Sequence, residues 1–549
     1  METQKRVNTT NSTFSNMIKA GHLYVDKSKY VYNLVSGENT QFFLSRPRRM
    51  GKTLTVSTLE SVFQGRKELF KGLYIYGTDY DWKQYPVIHI DFGDCGESTP
   101  MRLDRWLNEQ LSIIAKKYEV SEALQEGDSC DNNFRRLVSA LSEKGQVVIL
   151  IDEYDKVLSD NIFNPEVDAM REVLGNFYQV IKTKEASVRF AFITGVTKYA
   201  KLSVFSRMNN LTDLSMRKDY ATMLGYTKGE FLENFSGYIE RGIARTGMTK
   251  EAYLAKIKAM YDGYRFHPRA ETVYNPVSVG QFFSSGGADF FGFWADTGNT
   301  KLLMDIARRV DFNALTDIDL TMDYSQMKNF DVLSLSPSRD TKGCKEDDEE
   351  PKTDLLTAID LMSLLYQTGY LTLVVPEEDD GLLHFDFPNT EVRESFTSSL
   401  LTAYTISANA RLMPLRMNAL SALRLGKTAK AMGCVREMLS AVPYTIQIGE
   451  EKYYQSLLYM MFCSWGARRI SAEETTNIGR IDLALEEDRH LYVIECKYGK
   501  DGKKALGQIK EKRYAEKYLD RKGLKEIHLL GIDFSPEERN IDSWEEESL

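Results

Sequence analysis

The sequence predicts an α/β chain, with a parallel sheet in its N-terminal part, a helical and winged-helix-like middle, and a second α/β domain towards its C-terminal end. Three observations carry that expectation. The run Phe42-Phe43-Leu44-Ser45 breaks into a basic loop, Arg46-Pro47-Arg48-Arg49-Met50-Gly51-Lys52-Thr53, that opens a helix. About a hundred residues later, Val147-Val148-Ile149-Leu150-Ile151 is an apolar strand ending in Asp152, Glu153 and Asp155. Near the end, Ile478 to Leu485 and Leu491 to Lys497 read as two strands of a hairpin carrying Asp482, Glu495 and Lys497. A strand with no polar face is buried on both sides, which requires a parallel sheet between helices.

Taken in order, His22-Leu23-Tyr24-Val25-Asp26-Lys27-Ser28 predicts a short strand capped into a helix by Asp26 or Ser28. The basic loop then reads as a phosphate cradle. Gly51 lets the backbone approach a phosphate, Lys52 reaches the terminal phosphates, and the Thr53 hydroxyl ligates magnesium at a helix N-terminus that favours anions. The ligand implied is a nucleoside triphosphate with Mg²⁺. Arg46 stands where the usual pattern has glycine, so binding rather than fast turnover is expected.

Pro86 to Phe92 is another buried strand, and helical segments over 102–118 and 131–143 lead to the acidic strand. Strands alternating with helices place ligands at the carboxyl edge of the sheet. There Asp152 would hold magnesium through water, and Glu153 would orient or deprotonate the attacking water. Val188 to Thr197 adds a strand whose Thr194 or Thr197 is a candidate γ-phosphate sensor, and Arg207 follows as a possible phosphate contact.

From Gly225 to about Leu303 the chain turns helical and aromatic, predicting a lid whose aromatic residues are core. Residues 331–352 read as an exposed acidic linker. A helix over Leu355 to Thr368, Gly369 as its stop, and strands over Tyr370 to Val375 and Leu382 to Phe387 predict a winged-helix unit. Its hairpin carries Glu377, Glu378, Asp379 and Asp380, which repel phosphate, so a packing role is expected.

At 549 residues there is room for about three or four domains. With 42% hydrophobic and 27% charged residues the composition is globular. No apolar run of about eighteen residues offers a membrane span, and Met1 to Asn16 is polar, without a signal-peptide pattern. Membrane and secreted roles are therefore not expected. The six cysteines are scattered, so they outline neither a cysteine zinc site nor a disulfide framework, and a reducing cytoplasm fits. The net charge of −9 argues against a wholesale nucleic-acid coat, although Lys497 to Lys525 is locally basic.

Along the second C-terminal strand, alternation puts Glu495 and Lys497 on one face and Ile494 and Cys496 on the other. The hairpin brings Asp482 beside Glu495. Two carboxylates and an ammonium in one volume suit phosphodiester hydrolysis, with Asp482 and Glu495 holding one or two Mg²⁺ ions and Lys497 stabilising charge or positioning the nucleophile. The following helix adds Gln508, and Glu450 or Glu451 upstream is a further candidate carboxylate.

On these motifs, residues about 10 to 215 resemble the AAA-ATPase-like family of prokaryotic P-loop proteins, whose cradle reads Arg-Pro-Arg-Arg-x-Gly-Lys-Thr, as Arg46 to Thr53 does. The Tyr24-Val25-Asp26-Lys27 entry, the Ile151 to Asp155 strand end and the Thr194-Gly195-Val196-Thr197 segment match as well. Residues about 440 to 535 resemble the PD-(D/E)xK nuclease superfamily, with Asp482, Glu495, Lys497 and Gln508 on its motif positions. The resemblance implies an N-terminal P-loop ATPase domain over 1–215, a helical lid over 216–310, a helical and winged-helix-like region over 311–440, and a restriction-endonuclease-like domain over 441–549.

It also implies ATP contacts from Arg48, Arg49, Met50, Gly51, Lys52, Thr53, Leu54, Asp152 and Thr194, with Mg²⁺ at Thr53 and Asp152. Glu153, Asp482, Glu495, Lys497 and Gln508 become the catalytic candidates. The expectation is a bacterial, cytoplasmic ATPase whose nucleotide state controls a metal-dependent nuclease acting on nucleic acid, DNA favoured. Its alternatives are a switch that binds without cutting and an ATP-dependent homo-oligomer, in which Arg207 or Arg265 is a candidate finger in trans.

Overall fold

A computed structural model describes residues 5–7, 13–198, 211–294, 321–323, 358–376, 380–404, 412–440, 442, 450–465, 467, 469–476, 478–487, 489–499, 502–521 and 525–549. The chain separates into two compact units, one formed by 1–298 with 319–390 and the other by 299–318 with 391–549. The stretch 311–440 is thus shared between them.

In the first unit α1 (Phe14–Lys19) and α2 (Ser28–Ser36) precede β1 (Gln41–Ser45), which feeds α3 (Lys52–Phe63). Then come β2 (Val87–Asp91), α4 (Pro100–Lys117), α5 (Cys130–Ser142), β3 (Val147–Asp152), α6 (Lys156–Asp160), α7 (Val167–Thr183), β4 (Val188–Gly195) and β5 (Thr212–Asp213). The sheet order is β2-β3-β4-β1-β5, and every pairing is parallel. Every residue of β3 is buried, as an unbroken apolar run requires. Because β4 lies between β1 and β3, the basic loop after β1 and the carboxylates after β3 emerge at the same edge of the sheet.

The strand expected over 22–27 does not form. His22 makes one isolated bridge to Arg6, and the rest of the segment is irregular. Neither Asp26 nor Ser28 is the N-cap of α2, which is Lys27 without a side-chain capping bond, although Asp26 Oδ1 accepts from Ser28 N at 2.8 Å and its Oδ2 from Tyr74 N. A strand needs a pairing partner, and among the described residues this segment has only the one bridge.

Four helices follow, α8 (Lys228–Asn234), α9 (Ser236–Thr246), α10 (Lys250–Tyr261) and α11 (Pro276–Ser284). Phe231, Phe235, Tyr253, Tyr261, Phe282 and Phe283 are buried in one cluster, so the aromatic density is core. Next, β6 (Thr321–Met322), α12 (Ala358–Thr368), β7 (Thr372–Val374) and β8 (Leu383–Asp386) give a helix and a three-stranded antiparallel sheet in the order β6-β8-β7. This winged-helix-like part is tied to the rest of the first unit beyond the end of β4 and after α10: Gln367 Oε1 accepts from Lys198 N at 2.6 Å, and Thr372 Oγ1 from Arg265 N at 2.7 Å. The acidic linker expected over 331–352 and Arg207 lie outside the described residues.

The second unit carries α13 (Thr390–Tyr404), α14 (Leu412–Arg424), α15 (Thr428–Leu439) and α16 (Glu451–Ser464). A five-stranded sheet follows: β9 (Arg469–Thr475), β10 (Arg480–Glu486), β11 (His490–Tyr498), β12 (Glu526–Phe534) and β13 (Ile541–Ser548), with α17 (Gly502–Glu511) crossing from β11 to β12. The order is β13-β12-β11-β10-β9. Only β11 and β12 run parallel, which is why a helix connects them. α17 lies close on β12 at Gly531, where an added Cβ would come within 2.4 Å of Leu506 N.

Candidate functional site

The loop from β1 to α3 is curled by two residues in the left-handed region, Arg49 (φ 69°) and Gly51 (φ 102°), the kind of backbone from which N–H nests for anions are built. Lys52, only 7% exposed, closes it by donating from Nζ to the carbonyls of Arg46 and Pro47, both at 2.9 Å. Burial lowers its pKa, and the carboxylates of Asp152, Asp155 and Glu153 oppose that shift. The ammonium is thus held across the mouth of the loop, facing the acidic end of β3.

Asp152 is fully buried. Its Oδ1 accepts from Glu153 N at 2.9 Å, while Oδ2 has no hydrogen-bond partner. Burial raises its pKa, with the Thr53 hydroxyl lowering it, Asp91 raising it and Lys52 lowering it. An orphaned carboxylate oxygen beside a threonine hydroxyl at a helix start fits a Mg²⁺ ion. Glu153 sits at φ 50°, a strained backbone for a non-glycine, and burial raises its pKa against the pull of Lys52.

In the second unit the hairpin of β10 and β11 pairs Leu483 with Ile494, so Asp482 and Glu495 are neighbours across it. Asp482 Oδ2 accepts from Cys496 N at 2.7 Å, and burial followed by the charge of Glu495 pushes its pKa up to about 7. Glu495 is 1% exposed. Its Oε1 accepts from Lys497 Nζ at 2.9 Å and from Gln508 Nε2, whereas Oε2 has no hydrogen-bond partner. Lys497 also donates to Glu451 Oε1 at 2.9 Å and to Cys496 O at 2.8 Å. Burial opposes its charge, but these carboxylates prevail and hold its pKa above the ordinary lysine value. Asp482 and Glu495 place two carboxylates side by side with one orphaned oxygen, a donor chemistry that fits Mg²⁺ or Mn²⁺, and Glu451 reaches them through Lys497.

Comparison with known proteins accords with both halves. Residues 9–205 match a family described as predicted AAA-ATPase, and residues 449–544 match the PD-(D/E)XK nuclease superfamily. The chain is also 30% identical, over 543 residues, to an uncharacterized protein in the vnfD 5' region of Azotobacter chroococcum mcd 1, a match covering 96% of each chain. The chain belongs to the AAA-ATPase-like family, with a C-terminal PD-(D/E)XK nuclease superfamily domain.

In this AAA-ATPase-like protein the residues singled out from sequence do not all occupy the positions expected. Lys52, Thr53, Asp152 and Glu153 converge, and so do Asp482, Glu495, Lys497 and Gln508. Arg48 interacts electrostatically with Lys52 and Glu153, and Arg49 Nη1 donates to Phe293 O at 3.3 Å. The Met50 side chain is buried against Gly225 and Asn275, so only its main chain is left to face a phosphate. Leu54 lines a small cavity of about 60 Å³ with Tyr24, Val25, Met223, Tyr226 and Pro276, beside Gly51.

Thr194 is a correction. It is fully buried, and its hydroxyl donates to Leu44 O at 2.8 Å, tying β4 to β1 instead of facing the loop as a phosphate sensor. The Thr197 hydroxyl is likewise engaged, on Asp155 Oδ2 at 2.6 Å. Arg265, the candidate finger, is half-buried, with Nη1 donating to Ala270 O and Nε buried. Arg46 is 2% exposed, donates to the carbonyls of Ser45, Ser215 and Tyr220, and lies 4.1 Å over the Phe266 ring. It is a brace for the loop.

Of Glu450 and Glu451, it is Glu451, at the start of α16, that accepts from Lys497. One turn on, Gln455 was not foreseen: its Nε2 donates to Asp482 O at 3.0 Å and to Glu473 Oε1 at 2.8 Å. The four-residue spacing of Glu451 and Gln455 puts both on one helical face, a signal present in the sequence but carried by two common residue types.

Proposed function

We propose that the first unit binds and hydrolyses ATP with Mg²⁺, and that its nucleotide state controls phosphodiester cleavage of nucleic acid, DNA favoured, by the second. The observation that carries the second half is the buried, orphaned Glu495 Oε2 beside Asp482 and Lys497. A divalent ion bound there would polarise the phosphate and favour ionisation of water. The protein's own part is positional. Gln508 and Lys497 fix Oε1 of Glu495 and leave Oε2 for the ion. The Cys496 N–H orients Asp482.

Glu451 is 37% exposed and is the Lys497 partner best able to move, leaving one ammonium donor for a phosphate oxygen or the attacking water. In the first unit Lys52 supplies charge to the terminal phosphates, and Glu153, its pKa raised, accepts the proton of the attacking water. Support for joint operation is that the match to the Azotobacter protein runs through both stretches.

The test is cleavage of labelled plasmid and single-stranded DNA in Mg²⁺ or Mn²⁺, with and without ATP, beside Asp482→Ala and Lys52→Ala. The reading expects cleavage that Asp482→Ala abolishes and that ATP or Lys52→Ala alters. Absence of cleavage under every condition, or cleavage surviving Asp482→Ala, overturns the nuclease assignment and leaves an ATP-dependent binding switch.

A further inference from the structure

The geometry points to a second metal site in the C-terminal unit, a zinc-type site built from His490, His528 and Glu526 at the end of the sheet away from Asp482 and Glu495. His490 opens β11 and lies in register with Glu526, which opens β12, and His528 follows Glu526 on the same face of β12. One donor atom from each lies within 4.8 Å of the other two. Five residues of strand, about 16 Å, separate His490 from Glu495.

The proton positions favour a metal. His528 Nδ1 lies 2.7 Å from Glu546 Oε1, a carboxylate that can only accept, so Nδ1 carries a proton and, in the neutral ring, Nε2 presents a lone pair. That lone pair faces His490 Nδ1 at 2.9 Å, and Glu526 Oε2 is 3.7 Å from the same nitrogen. Two nitrogens on one tetrahedral zinc, each about 2.0 Å from it, lie about 3.3 Å apart, so opening the pair by a few tenths of an ångström admits the ion. Without metal, one proton on His490 Nδ1 fills the gap. On binding, that proton moves to Nε2 or to solvent, and zinc takes its place.

The surroundings are those of a supported ligand set. A ligating histidine whose other nitrogen donates to a carboxylate is held in one tautomer and orientation, and here Glu546 does this for His528. Thr428 in turn donates to Glu546 Oε1 at 2.7 Å, and the Tyr492 ring stacks on His528 with centroids 4.5 Å apart. His528 is 2% exposed and Glu526 is open to solvent, so the ion has both a fixed base and an entry path. Two imidazoles and one carboxylate select zinc over magnesium, the opposite of the all-oxygen set at Asp482 and Glu495. Three protein ligands leave a fourth position for water. The ion would clamp β11 to β12 independently of the nuclease carboxylates.

The decisive experiment loads chelator-stripped full-length protein with Zn²⁺ or Co²⁺ and measures bound metal per chain in the presence of a competing chelator, with the cobalt visible spectrum as a second readout. His490→Gln, Glu526→Gln, Glu546→Gln and Asp482→Asn are run beside the wild type. The expected result is one tightly held ion with a tetrahedral cobalt spectrum in wild type and Asp482→Asn, lost in His490→Gln and Glu526→Gln. Glu546→Gln, which keeps the ligands, should weaken binding by about 10- to 100-fold. Glu526 is exposed, so its substitution tests the site without endangering the fold. Equal uptake by all variants, loss confined to Asp482→Asn, or no zinc retained against the chelator overturns the site.

Discussion

Arg46 occupies the loop position where a glycine usually lets the chain turn, and its guanidinium repays that departure with three carbonyl partners and an aromatic face. Burial lowers its pKa to about 10, still protonated near neutrality. Arg46→Gly, which restores the common pattern, should therefore destabilise the first unit. It strips partners from the Ser215 and Tyr220 carbonyls, at a cost of about 1–3 kcal/mol. A thermal melt checks this, and an unchanged midpoint would remove the brace role.

Lys52→Ala should weaken ATP binding by about 10- to 100-fold, the worth of one charge-assisted hydrogen bond, as measured by titration with a nonhydrolysable analogue. In the second unit Asp482 holds its proton to about pH 7 when metal-free. A folded-state pKa raised above the unfolded value gives stability that is full below the unfolded pKa and lost as pH rises through the folded one. In chelator, stability should thus fall between about pH 4 and pH 7 by roughly 3 kcal/mol, because deprotonation is disfavoured in the buried site. Mn²⁺, binding the deprotonated form, should reverse the loss. Asp482→Asn should flatten the slope in denaturant melts, and a slope unchanged in that variant would assign it to another group.

Among the elements, α17 depends on Gly531. A side chain there meets the main chain of the helix that carries Gln508, so Gly531→Ala should lift α17 off β12, loosen the Gln508 contact with Glu495, and cost about 1–3 kcal/mol. Lower stability together with weaker Mn²⁺ binding is the expected pair of readouts; a melt identical to wild type would show that the helix has room. Elements of this kind were legible in the sequence to very different degrees. The apolar run 147–151 could only be a buried strand, and the alternation in 490–498 put Glu495 and Lys497 together, as the structure finds. His22 to Lys27 misled because its apolar residues pack in irregular backbone, and pairing partners are not written in a segment's own residues. Thr194 misled for a related reason: a hydroxyl at a strand end can serve a ligand or the neighbouring strand, and only the register with Leu44 decides between them. Gln455 and Glu473 went unread since their value lies in reaching Asp482 and Gln455 from other elements.

For the whole molecule, the question is whether two units with separate cores act as one device. Coupling is a free energy and is reciprocal: if bound nucleotide changes the affinity of the second unit for DNA by some factor, DNA must change nucleotide affinity by the same factor, commonly about 5- to 150-fold. Both sides of that equality are measurable on the full chain in Mg²⁺ buffer, where cleavage is suppressed by Glu495→Gln. DNA binding is titrated with and without a nonhydrolysable ATP analogue, and analogue binding with and without DNA. A controlled nuclease predicts equal factors in the two titrations, and a smaller effect of the analogue on DNA binding in Lys52→Ala at the concentration that just saturates the wild type, because that variant keeps the second unit intact but holds the nucleotide more weakly. Factors of one in the wild type would mean that the two sites share a chain without sharing a conformational equilibrium, and the nucleotide unit would then act on something other than the nuclease-like domain.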